Sequence, residues 1–433
     1  MLNRSLRTTA KTALRRKDPE DEVIEPASRS LKKEIGGRDG FARATRPPTS
    51  LVASLCRSTE EFSLLADEWD GLLERSRSHS VFLSWGWLYA WWRQFGGGRE
   101  LALILVRDPA GQLVGIAPFC LERRGRIPSV RVVSFLGTER VSSEYLDVIA
   151  DPAREEDVLA AVWHALMGEG KNWDWLRLTD LLESSLVLRH LRPLCEQAGY
   201  RTVLSNSEVC PYLTLPPTAE ALPKCLGPNM RGNVKRKIQK LREIGADLVP
   251  LETVEEMKSA LPTLFDLHAK RWAARRLRGN FWDPRVRAFH AEAVPALARR
   301  GRIRLFELRV DRRPIAFQYA LRFRDTFFLY QVGFDPLTPD PRLKQTQYSP
   351  GVALIGLCLE DAVREGLREA DFLRGGEGYK LEWTKSSRTT SCLTAVTPGR
   401  WGAAFRLEAE RLDRSLRTIV KKVLRRQGAD VSL

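Results

Sequence analysis

Two stretches of this chain, separated by close to 200 residues, follow one plan. ELALILVRDPAGQLVGIAPFCL at 100–121 lines up with RIRLFELRVDRRPIAFQYALRF at 302–323. Each is a β-rich run, a charged turn and a second β-rich run, with Leu113, Val114 and Gly115 opposite Pro314, Ile315 and Ala316. Downstream, DWLRL at 174–178 stands in the same relation to ADFLR at 370–374. The offset is the size of a domain and far longer than a solenoid repeat. It predicts two related α/β lobes, each a twisted mixed sheet flanked by helices. A chain of 433 residues has room for both.

Composition shifts set the boundaries. Residues 1–48 are rich in Arg, Lys, Glu and Pro, without a hydrophobic period, and end at Arg46-Pro47-Pro48. Such a segment buries too little apolar surface to offset its ordering entropy, so a disordered basic arm is expected. The first lobe is expected over 49–217, ending at Pro216-Pro217, and the second over 218–400. A basic amphipathic helix, with Leu412, Leu416, Ile419, Val420 and Val423 on one side, is expected within 401–433.

In the first lobe, a helix at 59–76 carries Phe62, Leu65, Trp69, Leu72 and Leu73 on one face. FLSWGWLYAWWRQFG at 82–96 holds four tryptophans, and so many large rings in one helix point to core packing before a pocket wall. Between the lobes, NMRGNVKRKIQKLR at 229–242 sets Val234, Ile238 and Leu241 as an apolar stripe among basic residues. That surface suits an anion: a nucleotide phosphate, tRNA or a lipid-linked acceptor.

The richest stretch is 326–383. A β-rich run carrying Phe327, Phe328, Tyr330 and Val332 is followed by a loop rich in Pro and Asp, then by Ser349-Pro350-Gly351 ahead of a helical pattern ending near Gly366. Ser as N-cap and Pro at the first helical position mark a helix start. The first N–H groups there have no partner inside the helix, and Gly351 has no side chain to hold a phosphate away. Residues 369–373 then read as a short buried strand, delivering Arg374, Glu377, Tyr379 and Lys380 on a glycine-containing loop. Strand, phosphate-accepting helix, strand and polar loop frame a nucleotide-type cofactor.

The order LYQVGFDP, YSPG, DFLRGGEGYKLEW resembles the C-terminal signature of the Acetyltransf-6 group of GNAT N-acyltransferases, the CelD-like proteins associated with cellulose or exopolysaccharide synthesis, which are related to FemAB/FemX-type transferases. The resemblance spans roughly residues 50–400 and is concentrated in 330–383. Family members commonly carry an acidic residue after the first glycine of this loop; here the run is Gly375-Gly376-Glu377, which makes Glu377 the nearby carboxylate able to substitute.

The resemblance implies tandem GNAT-like lobes, the second holding an acyl-CoA co-substrate, acetyl-CoA or longer. The implied reaction is direct transfer to the amine of a small molecule or of a polysaccharide or cell-envelope precursor, without a metal. Tyr330, Gln331, Ser349, Pro350 and Gly351 are the expected cofactor contacts. Glu377 is the expected base with Asp371 second, while Tyr379 and Lys380 are donors for the leaving thiolate or the oxyanion. Gln318, Tyr348, Arg374 and Trp383 are expected on the acceptor side. Two other readings remain: a FemAB-like transferase drawing on aminoacyl-tRNA, and a non-catalytic accessory factor in polysaccharide assembly.

Seven cysteines without a CxxC pattern argue against a zinc ribbon or a disulfide framework. Five histidines without HExxH leave no metal signature, and His164, His190 and His290 read as structural. The apolar run at 352–359 is well short of the roughly 20 residues a membrane span needs. A cytoplasmic protein is expected, its +16 formal charge allowing peripheral contact with an anionic membrane face or tRNA.

Overall fold

The first sheet grows from β-branched and aromatic runs separated by Gly and Pro turns. The computed structural model describes residues 50–410, apart from 126–128, 139, 169–171, 339 and 346–349. In chain order the first half contains β1 (Val52–Cys56), α1 (Thr59–Leu64), α2 (Ala66–Arg75), α3 (Trp85–Phe95), β2 (Arg99–Arg107), β3 (Leu113–Arg124), β4 (Val130–Phe135), β5 (Ile149–Ala150), α4 (Glu155–Met167), β6 (Trp175–Leu181), α5 (Arg192–Gln197) and β7 (Arg201–Thr214). The second half adds α6 (Leu222–Cys225), α7 (Pro228–Glu243), β8 (Ala246–Leu251), α8 (Val254–Ala273), α9 (Pro284–Arg299), β9 (Ile303–Val310), β10 (Arg313–Phe323), β11 (Thr326–Phe334), α10 (Pro341–Gln345), α11 (Pro350–Arg364), β12 (Glu369–Asp371), α12 (Gly378–Trp383) and β13 (Ser387–Val396).

The duplication is visible in the strand pairing. β2 and β3 form an antiparallel hairpin, and β4 is joined through α4 to its parallel partner β6, Val132 beside Trp175. β9 and β10 repeat the hairpin, and β11 is joined through α11 to its parallel partner β12, Phe327 beside Ala370. The fold is mixed α/β in two such lobes.

The strands run β1-β2-β3-β4-β6-β13-β7-β12-β11-β10-β9-β8. β13 follows the second lobe in sequence but lies in the first sheet, antiparallel to both β6 and β7. A division at 217/218 therefore does not follow the hydrogen bonding, because Ser387–Val396 completes the first sheet. Strand β7 links the two sheets: its first part pairs with β13, and Tyr212, Leu213 and Thr214 pair with β12. Residues 401–410 continue as a helix on the first lobe, where Ala403 O accepts from Trp175 Nε1 at 3.2 Å. The expected basic arm and most of the expected C-terminal amphipathic helix lie outside the described residues.

The tryptophan-rich segment is core. Trp87 and Trp91 are buried, with Trp87 Nε1 donating to Ser143 Oγ at 2.8 Å and Trp91 Nε1 to Thr138 O at 3.1 Å. Trp87 also meets Phe289 of α9 edge-on at 4.8 Å, so α3 joins the lobes. Gly86 is required at this crossing, since a Cβ there would come within 2.7 Å of Ala296. Arg302 is 4% exposed and binds Asp70 at 2.6 Å, a charged tie across the same seam. The expected helix over 59–76 is broken at Leu65 into α1 and α2.

Candidate functional site

Strand β11 pairs with β12 only over Thr326–Phe328 and Glu369–Asp371. Beyond that point β11 runs on to Phe334, and no described strand pairs with it on that side. On its other side, Tyr319 faces Gln331 and Ala320 faces Leu329, which leaves Tyr330 as the extra residue of a bulge. A bulge reverses the in-and-out alternation of everything beyond it. Phe328 and Tyr330, two residues apart, share a face and point into the aromatic core. Tyr330 is buried, its hydroxyl donating to Val141 O at 2.7 Å and its ring 5.4 Å from Trp87. Tyr330 is therefore a lobe-joining core residue and not the expected cofactor contact.

Helix α11 begins where β11 ends. A Cβ on Gly351 would lie 3.6 Å from the Phe334 ring, and the first turn carries no acidic residue. Pro350 is buried; Ser349, expected at this mouth, and Tyr348, expected on the acceptor side, lie outside the described residues. Fifteen residues of aligned peptide dipoles direct partial positive charge from this end.

Sequence reasoning missed the residues that α8 brings to the same place. Arg271 donates to Val332 O at 3.4 Å, and its guanidinium lies 5.5 Å from the Phe334 ring centre and 5.5 Å from that of Trp272. Burial holds its pKa below the usual arginine value, with Tyr379 and Glu377 pulling it back up. Arg271 thus connects the free end of β11 with the loop before β13. Trp272 Nε1 donates at 2.9 Å to His268 Nε2, which lies 3.1 Å from the Gln331 amide. Burial pushes His268 down to about 4, so the ring is neutral and can accept that bond. Gln331 is accordingly held by α8. The signal for these residues was an Arg-Trp pair in the last turn of a helix, which is common enough to pass as surface.

The expected polar loop folds partly into α12. Its N-cap, Glu377, has a half-exposed carboxylate 3.1 Å from Lys380 Nζ, and the exposed Tyr379 stands next along. Lys380 is turned inward, donating to Arg374 O at 2.5 Å and Leu373 O at 3.3 Å, so it anchors the loop and is not an exposed donor. Trp383 is buried, with Phe372 at 6.1 Å and Gly356 below it, which places it in the core instead of on an acceptor. Gln318 is also buried, its amide donating to Tyr319 O and Gln331 O at 3.1 Å. Its amide braces the bulge.

Arg374 and Asp371 belong to a buried seam between the lobes. Arg374 reaches Glu144 at 3.1 Å and Asp180 at 3.0 Å, while its backbone N–H donates to Glu144 at 2.7 Å. Burial raises Glu144 to about 7 against the pull of Arg374. Asp371 is fully buried, which raises it to about 6 despite Arg388. Its oxygens accept from the Tyr145 hydroxyl at 2.8 Å and from Leu373 N–H at 2.7 Å. The first of these bonds joins the lobes, and the second fixes the turn that follows β12. Among the described residues, no three His, Cys, Asp or Glu side chains converge as a metal site would require, and no helix is long and apolar enough to cross a membrane.

A hairpin followed by two parallel strands joined by a crossover helix, present in two linked copies, defines a tandem GNAT-type fold, and the second copy adds the bulge of β11 and the fork at which α11 opens. Residues 228–381 match the model of the Acetyltransf_6 family, described as an acetyltransferase (GNAT) domain. The matched span begins at α7 and ends within α12, so it leaves out the first lobe and β13. Among solved structures, the chain is similar to FemX, at 9% identity over 76% of this chain and 95% of that one, with a TM-score of 0.51. It is similar as well to a conserved protein of unknown function from Bacteroides thetaiotaomicron, at 13% identity over 79% and 99%, with a TM-score of 0.50. At these identities the likeness is one of fold. No curated protein matches the sequence.

Proposed function

We infer that this protein transfers an acyl group from acyl-CoA to the amine of a small molecule or of a polysaccharide or cell-envelope precursor. The observation that carries the reading is the acid-free mouth of α11 at Gly351, opening beside the unpaired end of β11 and the Arg271 guanidinium. Backbone N–H groups and a guanidinium together suit a diphosphate. The free edge of β11 offers backbone N–H and C=O groups to an extended pantetheine arm.

In this reading Glu377 accepts the proton from the attacking amine, being the half-exposed carboxylate beside the fork. Tyr379, exposed at the same rim, supplies a proton to the departing thiolate. Lys380 and Asp371 act as positioning residues through the loop and the seam. The amine nitrogen forms the new bond to the carbonyl carbon as the carbon–sulfur bond breaks. Calorimetric titration with acetyl-CoA and longer acyl-CoAs, against the native chain and Gly351→Asp, tests the donor: native binding with loss in the variant is expected, and no affinity for any acyl-CoA removes the reading.

A second reading takes aminoacyl-tRNA as donor. The observation favouring it is α7, which exposes Arg231, Lys235, Arg236 and Arg242 opposite its apolar stripe. Several phosphate contacts impose a steep loss of affinity with salt. A tRNA-binding series across salt concentrations that stays flat, or shows no binding, excludes it.

A further inference from the structure

The helix at 401–410 docks on the first lobe by one face only. Ala403 and Leu407, one turn apart, are buried with Val130, Val132, Trp175 and Val396. Trp401 and Phe405 are also one turn apart but two residues out of step with that pair, which puts them on the opposite side of the helix. They are 86% and 73% exposed, while the other eleven tryptophans of the chain are at least half covered. A single exposed apolar residue needs no explanation; two large rings on one helix face do.

The sequence indicates what this face meets. At the intervals that keep to one side of a helix, Trp401 and Phe405 are followed by Leu412, Leu416, Ile419 and Val423, which lie outside the described residues. The same stretch, 411–433, carries seven Arg and Lys against Asp413 and Asp430. Among the described residues, the hairpin tip between β3 and β4 adds the exposed Arg123, and a Cβ on Gly125 would collide with the Arg406 guanidinium, so this tip lies against the helix. Trp, Phe and Leu along one face of a strongly basic segment is the composition of a helix that lies in the plane of a bilayer surface. The excess of positive charge selects anionic lipid. A second copy of this chain would set like charge against like, and nucleic acid gives no reason for the apolar stripe.

We propose that Trp401 and Phe405 insert into an anionic membrane surface, with the basic residues of 411–433 meeting the lipid headgroups. Strength of attachment then comes from two sources, the apolar area of the rings and the attraction of Lys and Arg to the charged leaflet. This surface belongs to the first lobe and the α11 mouth to the second, so membrane attachment and acyl-CoA binding are separable.

The test is co-sedimentation of the full chain with vesicles of phosphatidylcholine alone and of an equal mixture of phosphatidylcholine and phosphatidylglycerol. Saturable binding to the mixed vesicles is expected, about tenfold tighter than to the neutral ones and weakening as salt is raised. Trp401→Ser combined with Phe405→Ser should weaken that binding by about tenfold at an unchanged melting temperature, both side chains being exposed. Lys421→Glu combined with Lys422→Glu should weaken it by about tenfold on the mixed vesicles and leave the neutral ones unaffected. No binding to the mixed vesicles, or equal binding by the native chain and the ring variant, overturns the proposal. So does a lipid-free dimer in analytical ultracentrifugation that the ring variant dissolves, since the face would then join two copies of the chain. No acyl donor is present, so this outcome is independent of the acyl-CoA titration.

Discussion

The two crossover helices, α4 and α11, occupy equivalent places in their lobes and begin with opposite chemistry. α11 opens on Pro350, Gly351 and Val352, with Arg271 across from it; α4 opens on Glu155, Glu156 and Asp157. Carboxylates in a first turn stabilise a helix by meeting its dipole, and in doing so they consume the field that would hold an anion. A duplicated fold can therefore keep a helix start as a binding feature in one copy and use it for stability in the other. Three side chains decide which.

The comparison presupposes that the lobes are fixed to each other, and Arg374 is where that is most exposed to attack. Arg374→Ala leaves Glu144 and Asp180 buried without their cation, and should cost about 3–5 kcal/mol by chemical denaturation. A loss below about 1 kcal/mol would show that the seam is held elsewhere. Next in size, Gly351→Asp gives α11 an acidic first turn like that of α4. It should weaken acetyl-CoA binding by about 10- to 100-fold, through charge repulsion and the added side chain. Equal affinity in the variant would remove the contrast between the helices.

Arg271→Ala tests the same mouth from the opposite wall and should cost about tenfold in acetyl-CoA affinity, with a smaller change in melting temperature than Arg374→Ala. The smallest effect concerns the first lobe. Burial raises Asp147 to about 7, against three backbone N–H donors. The folded chain then binds this proton more tightly than the unfolded chain, so stability falls as pH rises from about 4 to about 7 and levels off above. Asp147→Asn should flatten that part of the curve, and an unchanged slope would assign the titration to other groups.

The repeat of 100–121 and 302–323 was legible because hairpins and buried strands declare themselves in local pattern. The start of α11 was legible from Pro350 and Gly351 for the same reason. Tyr330 was not, because alternation gives a strand two faces without saying which one packs between the lobes, and the partners that bury it, Val141 and Trp87, come from the first lobe. Lys380 and Trp383 were misplaced because a glycine-containing stretch gave no sign that it would close into α12 and turn both inward. The position of β13 was beyond local reading: its two partners lie some 200 residues upstream, and nothing within Ser387–Val396 names them. Arg271, for its part, acquires meaning only when Phe334 and Tyr379 are brought beside it.

The threading of β13 between β6 and β7 has a consequence for synthesis. While a ribosome is still translating the middle of this message, the first sheet has an empty slot lined by unpaired amides, and the strand that fills it does not exist yet. The early half must wait, guarded by other contacts or by a chaperone, until residue 396 has emerged. Any nascent fragment that stops short of that point exposes an open sheet edge to the cell's quality control.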